Sequence, residues 1–425
     1  MAYIQEQLQT PIVAQVDVLV LGGGPAGFSA AVCAGRQGAN VMMVESSGSL
    51  GGVATIGLMS HWTGSTRGGF YEEIIARTGK AAHGKQTISH EALKHEMFVM
   101  AEEANVCLKL YTMAVQPIME GSAIKGVIVE NKSGREAILA KIVIDATGDG
   151  DIAARAGAPF CKGREADGMM QPVTLMFQIG GVNLDKAEYI HSFEQTYMTA
   201  YGEIQQLARE KLPHPLGHVL IYPSTLKDTV TINMTNMTGI DGTNADSLTA
   251  GEVACRKQMP LILEFLRTYM PGFENAYIST GASFLGVRET RHFMGMQRLT
   301  EKDIQEARIF DDWVVTKAHF NFDVHNMSGG GLDKTGVQKE FKQAKGYTIP
   351  YGVFVPLEID NLFLCGRNIS GTHIAHSNYR AMPICANMGQ SVGIAAAMCV
   401  RMDCAPRGLD VGILQKELEK NGVTL

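Results

Sequence analysis

Three glycines, Gly22, Gly24 and Gly27, and one carboxylate, Glu45, have the spacing of a site that grips a dinucleotide. Gly22 permits a tight turn, Gly24 lets backbone approach a pyrophosphate, and Gly27 lets a helix lie close on a strand. Pro25 and Ala26 open that helix, whose free N–H groups then face the phosphates. Glu45 lies 21 residues beyond Gly24. A carboxylate there can accept both hydroxyls of an adenosine ribose.

The elements that must position these residues are legible around them. Residues 16–21 have the apolar, β-branched character of a buried parallel strand, and a second strand, 40–44, ends at Glu45. A glycine triplet alone is a weak signal; strand, helix, second strand and terminal acid together are specific. Directly after Glu45 comes a second glycine-rich loop, Ser46 to Gly52, which contains Gly51. An apolar strand at 141–145 ends in Ala146, Thr147 and Gly148. Near the C-terminus, 361–365 leads into Gly366, Arg367 and Asn368, then a small-residue helix with Gly389, Gln390 and Ser391.

Between these segments the patterning predicts helices over 68–80 and 89–105, a strand over 106–110, and a three-stranded antiparallel excursion over 113–139. Residues 159–345 mix strands (172–179, 218–222, 229–234) with helices (192–212, 246–269).

The four segments, in this order, resemble the FAD-binding fold of glutathione-reductase-type flavoproteins. Ile144 to Asp151, Gly286 to Arg291 and Ser370 to Pro383 are similar to stretches shared by bacterial FAD-dependent oxidoreductases, and the resemblance runs from residue 16 onward. It implies an α/β fold: a glutathione-reductase-like FAD-binding Rossmann fold with an inserted mixed-sheet α+β substrate domain. The implied segments are 1–158 and 346–425 for FAD binding, and 159–345 for the insert. FAD contacts are implied at Gly22, Gly24, Pro25, Ala26, Gly27, Glu45, Ser46, Gly51, Gly52, Ala146, Thr147, Gly148, Gly366, Arg367, Asn368, Gly389, Gln390 and Ser391. One departure stands out: the acid that often follows the glycine of the last strand is Arg367 here, and Asn368 is the substitute for its ribityl contact. No second strand–GxGxxG–helix unit occurs, so electrons come from the substrate, a docking nicotinamide or another protein.

Against that frame the catalytic candidates are His61, His373, His376 and Arg291. A histidine in reach of a carbinol takes its proton as hydride passes to flavin N5. The plainer alternative is that these imidazoles satisfy backbone groups. Arg288, Glu289 and Arg291 form a charge cluster that reads as an inter-domain ion pair or as a clamp on a substrate carboxylate or hydroxyl. His319, Asp323 and His325 alternate as on a strand and read as polar pocket lining rather than metal ligands; no metal is expected. The eight cysteines are scattered, with Ala54 and Met59 where disulfide reductases of this superfamily carry theirs, so thiol–disulfide chemistry is disfavoured.

The expected activity is hydride transfer between a polar, hydroxylated small molecule and FAD. The alternative is reduction of a conjugated double bond with an external electron donor; a non-catalytic or RNA-modifying FAD module ranks below both. With 425 residues, 45% of them hydrophobic, the chain can bury two cores, and its net charge of −6 offers no general attraction to nucleic acid or anionic membrane. No apolar run of about 18 residues and no signal peptide is read, so a cytoplasmic enzyme is expected. Its expected partners are a small-molecule substrate and an external electron acceptor or donor, with a homo-oligomer allowed.

Overall fold

The computed structural model describes residues 3–78, 86–333 and 345–425. β1 (Ile12–Leu21), α1 (Pro25–Arg36) and β2 (Val41–Val44) form the expected βαβ unit. α2 (Phe70–Thr78), α3 (His90–Glu103) and β3 (Cys107–Lys109) follow, then β4 (Met113–Glu120), β5 (Ala123–Asn131), β6 (Gly134–Asp145) and a short α4 (Asp151–Arg155). The end of the helix expected over 68–80 lies outside the described residues. Strands β3, β2, β1 and β6 are parallel neighbours, and β5 and β4 continue the sheet antiparallel.

The third strand of the antiparallel excursion and the strand expected at 141–145 are one element, β6. Its first half pairs with β5, while β1 runs along its other edge from Ile12↔Ala137 to Leu21↔Asp145. That pairing is why β1 begins at Ile12 rather than at Val16.

A second core lies beyond β7 (Phe160–Lys162). β8 (Phe177–Gly180), the hairpin β9 (Met198–Thr199) and β10 (Gly202–Glu203), α5 (Ile204–Lys211), β11 (Ile221–Pro223), β12 (Thr229–Ile232), α6 (Ala245–Tyr269) and β13 (Tyr277–Gly281) succeed one another. β11, β12, β8 and β13 make an antiparallel sheet in that order, and Phe177, Ile179, Val230 and Ile232 bury against Ile262 and Leu266 of α6. The helix expected over 192–212 starts only at Ile204. Glu203 is its N-cap, accepting from the Gln205 and Gln206 N–H groups, and the residues before it turn back as the hairpin. Ladder pairing likewise begins at Phe177, because Val173 and Thr174 make only isolated bridges.

β14 (Arg291–Phe293) pairs with β7, α7 (Glu301–Gln305) follows, and β15 (Trp313–Ala318) pairs with β16 (Tyr347–Pro350). β17 (Leu362–Leu364) extends the parallel sheet beside the second half of β6. α8 (His373–Tyr379), α9 (Met382–Met402) and α10 (Val411–Lys420) close the described chain. Phe293, Trp313, Val315 and Phe322 belong to the first core, so the span 159–345 divides between the two cores. The strand read through His319, Asp323 and His325 ends at Ala318, after Lys317 enters the left-handed region at φ +51° and the pairing register slips.

α9 is long and apolar enough to cross a membrane by length and composition, unlike the expectation of no such stretch, yet it is almost wholly buried in the first core. It crosses α1 at glycines: Cβ atoms on Gly389 and Gly393 would lie 2.1 Å and 2.2 Å from the carbonyl oxygens of Ala26 and Ala30. Backbone meets backbone there, with no room for a side chain. Gly389→Val should therefore destabilise the fold by about 1–3 kcal/mol through overpacking. Thermal denaturation checks this; an unchanged midpoint would mean that the α1–α9 contact yields.

Candidate active site

The expected dinucleotide segments converge at the C-terminal ends of β1, β6 and β17. Gly22 sits at φ +98°, and a Cβ there would lie 2.4 Å from the Ala146 carbonyl oxygen, so the β1–α1 turn abuts the Ala146–Gly148 loop. The Gly51 N–H donates to the Gly23 carbonyl at 2.8 Å, which brings the second glycine loop onto the first. A Cβ on Gly366 would come 3.2 Å from that of Ala26. Gly27 is packed against the Gly22 carbonyl, but a Cβ on Gly24 would meet nothing within 4 Å. Open space therefore lies over the N-terminus of α1, where a pyrophosphate would be held by first-turn N–H groups. Glu45 Oε2 accepts from Gly23 N–H and Oε1 from Ser47 N–H, both at 2.7 Å, so its carboxylate is fixed at the rim of that space. These residues fit an adenine dinucleotide.

Other expected contacts have different partners. Gly389 is consumed by the α1 crossing. Gln390 accepts from Phe70 N–H and donates to the Asn421 carbonyl, and Ser391 donates to the Val314 carbonyl. α9 begins seven residues before Gly389, so these three lie in the helix body and serve packing, away from its N-terminus. Arg367 pairs with Asp149 at 2.8 Å, and Asn368 donates to the Asp145 carbonyl at 3.0 Å. Arg291 donates to the Asp149 carbonyl (2.8 Å) and to Asp151 (2.9 Å), with Phe160 beneath its guanidinium. It links β14 to α4, the ion-pair role rather than a catalytic one.

His373 and His376 belong to a buried cluster that the spacing alone did not disclose. Glu289 Oε1 accepts from His373 Nδ1 at 2.6 Å and from His292 Nε2 at 2.8 Å, and its Oε2 accepts from Gln171 N–H at 3.1 Å. His376 sets its ring edge-on to His292 at 4.8 Å. Burial works to raise the Glu289 carboxyl, but the hydrogen bonds from His292 and His373 outweigh it and hold the group well below the ordinary carboxylate range. Burial pushes the His376 imidazole well down, so it stays neutral. Glu289, His292 and His376 bring candidate ligand atoms within 4.8 Å of one another. The 2.8 Å Glu289–His292 contact has hydrogen-bond length, shorter than the roughly 3.3 Å between ligands of a tetrahedral ion.

His61 is half-buried, with Nδ1 2.8 Å from Ser60 Oγ and its ring edge-on to Tyr222 at 5.1 Å. From Tyr222 an aromatic wall continues: His191 stacks on it at 6.2 Å, and Phe193 stands edge-on to His218 and His325. Asp323 accepts from Arg380 at 2.8 Å and lies 3.3 Å from His325 Nε2, whereas His319 bridges to Ser65. Tyr222, His191, His218 and Gln171 were not singled out by sequence. They stand up to 161 residues from His61 with no shared spacing, and only the meeting of the two cores assembles them.

A model of the family described as FAD dependent oxidoreductase matches residues 17–418. The chain belongs to that family, and it is an FAD-dependent enzyme. No curated protein matches it. Among solved structures, a geranylgeranyl bacteriochlorophyll reductase-like protein from Thermoplasma acidophilum is 13% identical with a TM-score of 0.48, over 96% of this chain and 84% of that one. The p-nitrophenol 4-monooxygenase PnpA from Pseudomonas putida DLL-E4 is 10% identical, with a TM-score of 0.48 over 93% and 82%. The flavin-dependent brominase Bmp2 is 13% identical, with a TM-score of 0.48 over 96% and 83%.

Two expectations follow from this geometry. Glu45→Ala removes charge-assisted bonds of about 1.5–3 kcal/mol and should weaken FAD retention by roughly ten- to a hundredfold. Gly24→Val, which fills the open space, should be worse, and equal flavin occupancy of both variants and parent after dialysis would refute the assignment. The second concerns pH. Burial holds His218 down to about 3 and His325 to about 4, and His376 well below the ordinary 6.5. The unfolded chain protonates these imidazoles below pH 6.5 while the folded chain does not, so stability falls as pH drops from 6.5 toward 4. Each contributes about 1.4 kcal/mol per pH unit while it stays neutral. Thermal midpoints between pH 7 and 4.5 should decline steadily.

Proposed function

We propose that this FAD-dependent oxidoreductase transfers a hydride between a polar, hydroxylated small molecule and flavin N5, with the cofactor on the first core and the substrate in a chamber walled by the second. When bound, FAD supplies the hydride acceptor. The observation that carries this reading is the polar wall that continues from the second glycine loop: His61, Tyr222 and His191 in contact, with Asp323 and Arg380 beyond them. A hydroxylated compound finds donors and acceptors there. A hydrocarbon chain would instead strip water from charged groups and return no hydrogen bonds.

In this reading His61 takes the carbinol proton, since it is the half-buried imidazole of the three candidates. The tautomer whose Nδ1–H donates to Ser60 puts the accepting lone pair on Nε2. His373 and His376, closed in around Glu289, position α8 and the start of α9 rather than touching the substrate. The contacts assigned to FAD are Gly24, Pro25, Ala26 and Gly27 for the pyrophosphate and Glu45 for the adenosine ribose, with Ser46, Gly51, Gly52 and the Ala146–Gly148 loop flanking them.

Anaerobic mixing with a panel of polyols, sugar acids and hydroxy acids tests the reading. Bleaching of the flavin by a hydroxylated compound is expected. Bleaching only by an external reductant, followed by reoxidation with an unsaturated compound, would overturn it in favour of double-bond reduction. His61→Ala should slow flavin reduction by about 10²–10⁴-fold while FAD stays bound. Smaller losses are expected for His373→Ala and His376→Ala. If either exceeds His61→Ala with FAD retained, the proton acceptor lies on α8.

A further inference from the structure

Arg288 stands between β13 and β14 and is half-buried. Its Nη1 donates to the Pro172 carbonyl at 2.5 Å. Asp323 is the acidic group that acts on it, and that carboxylate is already engaged by Arg380 at 2.8 Å and His325 at 3.3 Å. Among the described residues no carboxylate lies within 4.0 Å of the Arg288 guanidinium. Two guanidinium groups thus face one carboxylate, and His218 and His325 add no charge because burial keeps them neutral. One positive charge is left over.

Buried groups of both kinds stand unpartnered nearby among the described residues: His218 Nδ1, whose Nε2–H donates to the Asn233 carbonyl, is an acceptor without a donor. Among the described residues, Arg380 Nε and Gln171 Nε2 are buried donors without a partner. Gln171 is oriented by its other atom, since Oε1 accepts from His325 N–H at 3.1 Å. Burial, and then the neighbouring Arg380 charge, push Arg288 down to about 10. A half-buried guanidinium with no carboxylate partner is completed by an anion, and its planar fork matches a carboxylate.

We propose that Arg288, backed by Arg380, is the anchor for a substrate carboxylate, so that the substrate is a small carboxylic acid bearing a hydroxyl group. This rests on the reading of the chamber as the substrate side, with His61 and Tyr222 on its wall. The carboxylate brings both the missing negative charge and the missing acceptor oxygens. A neutral polyol brings neither.

Calorimetric titration of the FAD-loaded protein tests this without turnover. The probes are malonate and gluconate, each against its amide, with flavin absorbance monitored to show that the cofactor stays bound. Both carboxylates should bind saturably and about tenfold or more tightly than their amides. Arg288→Met should abolish that preference with FAD retained, and Arg288→Lys should keep part of it. Amides that bind as well as the acids, carboxylates that fail to bind at about 50 mM, or an Arg288→Met chain that binds malonate like the parent would each overturn the proposal. If Arg288→Met does not fold, the acid–amide comparison on the parent chain decides alone. Failure of the hydride reading is separate: malonate would still bind, but no hydroxylated compound would bleach the flavin.

Discussion

The buried residue Asp145, at the end of β6, ties together three segments that lie far apart in sequence. Its carboxylate accepts from the Thr147 N–H and hydroxyl and from the Ile152 and Ala153 N–H groups, which shapes the Ala146–Gly148 loop and caps α4. Its carbonyl accepts from Cys365 N–H and from Asn368, which fastens the turn after β17. The loop so held presses against Gly22, where the contact excludes any side chain. Burial pushes the Asp145 carboxyl up, and four convergent donors offset that cost. Without this knot the β1–α1 turn would have no wall to stand against, and the open space over Gly24 would lose its shape.

The second feature on which function turns is the opposite fate of two consecutive residues. Arg288 and Glu289 are adjacent in the chain, yet their side chains meet different partners. Glu289 enters a cluster rich in partners, with three donors on its two oxygens. Arg288 enters one where, among the described residues, its guanidinium donates to the Pro172 carbonyl and no carboxylate lies within 4.0 Å. Gln171 spans the two: its N–H binds Glu289, and its side-chain oxygen receives His325. A buried carboxylate whose oxygens are all engaged rigidifies its surroundings, whereas a guanidinium without a carboxylate partner is poised for an anion. One fixes α8 against β14; the other has no such partner.

Much of this was legible before any coordinates. The β1–α1–β2 unit, the long helices α3 and α6, the β4–β5–β6 meander, the glycine turns and Glu45 all rest on periodicity or turn chemistry within some thirty residues, and local rules reach that far. The misreadings are of one kind. Gly389 looks the same whether it lines a cofactor or lets two helices touch, and its contact with the Ala26 carbonyl decides the matter. Arg291 could clamp a substrate or bind Asp151, and both would be written the same way. The strand expected through His325 stopped at Ala318, opposite Tyr347, where its antiparallel partner β16 begins.

What the sequence by itself determined is therefore the backbone cradle for a dinucleotide and the family to which the chain belongs, because a strand, a tight turn and a helix N-terminus are set by neighbours along the chain. The grouping of polar side chains from His61 to Arg380 was decided only in three dimensions. His61, Gln171, Tyr222, Arg288, Asp323 and Arg380 come from both cores and share no spacing. Their charges and hydrogen bonds become strong only once the meeting of the cores removes water from between them.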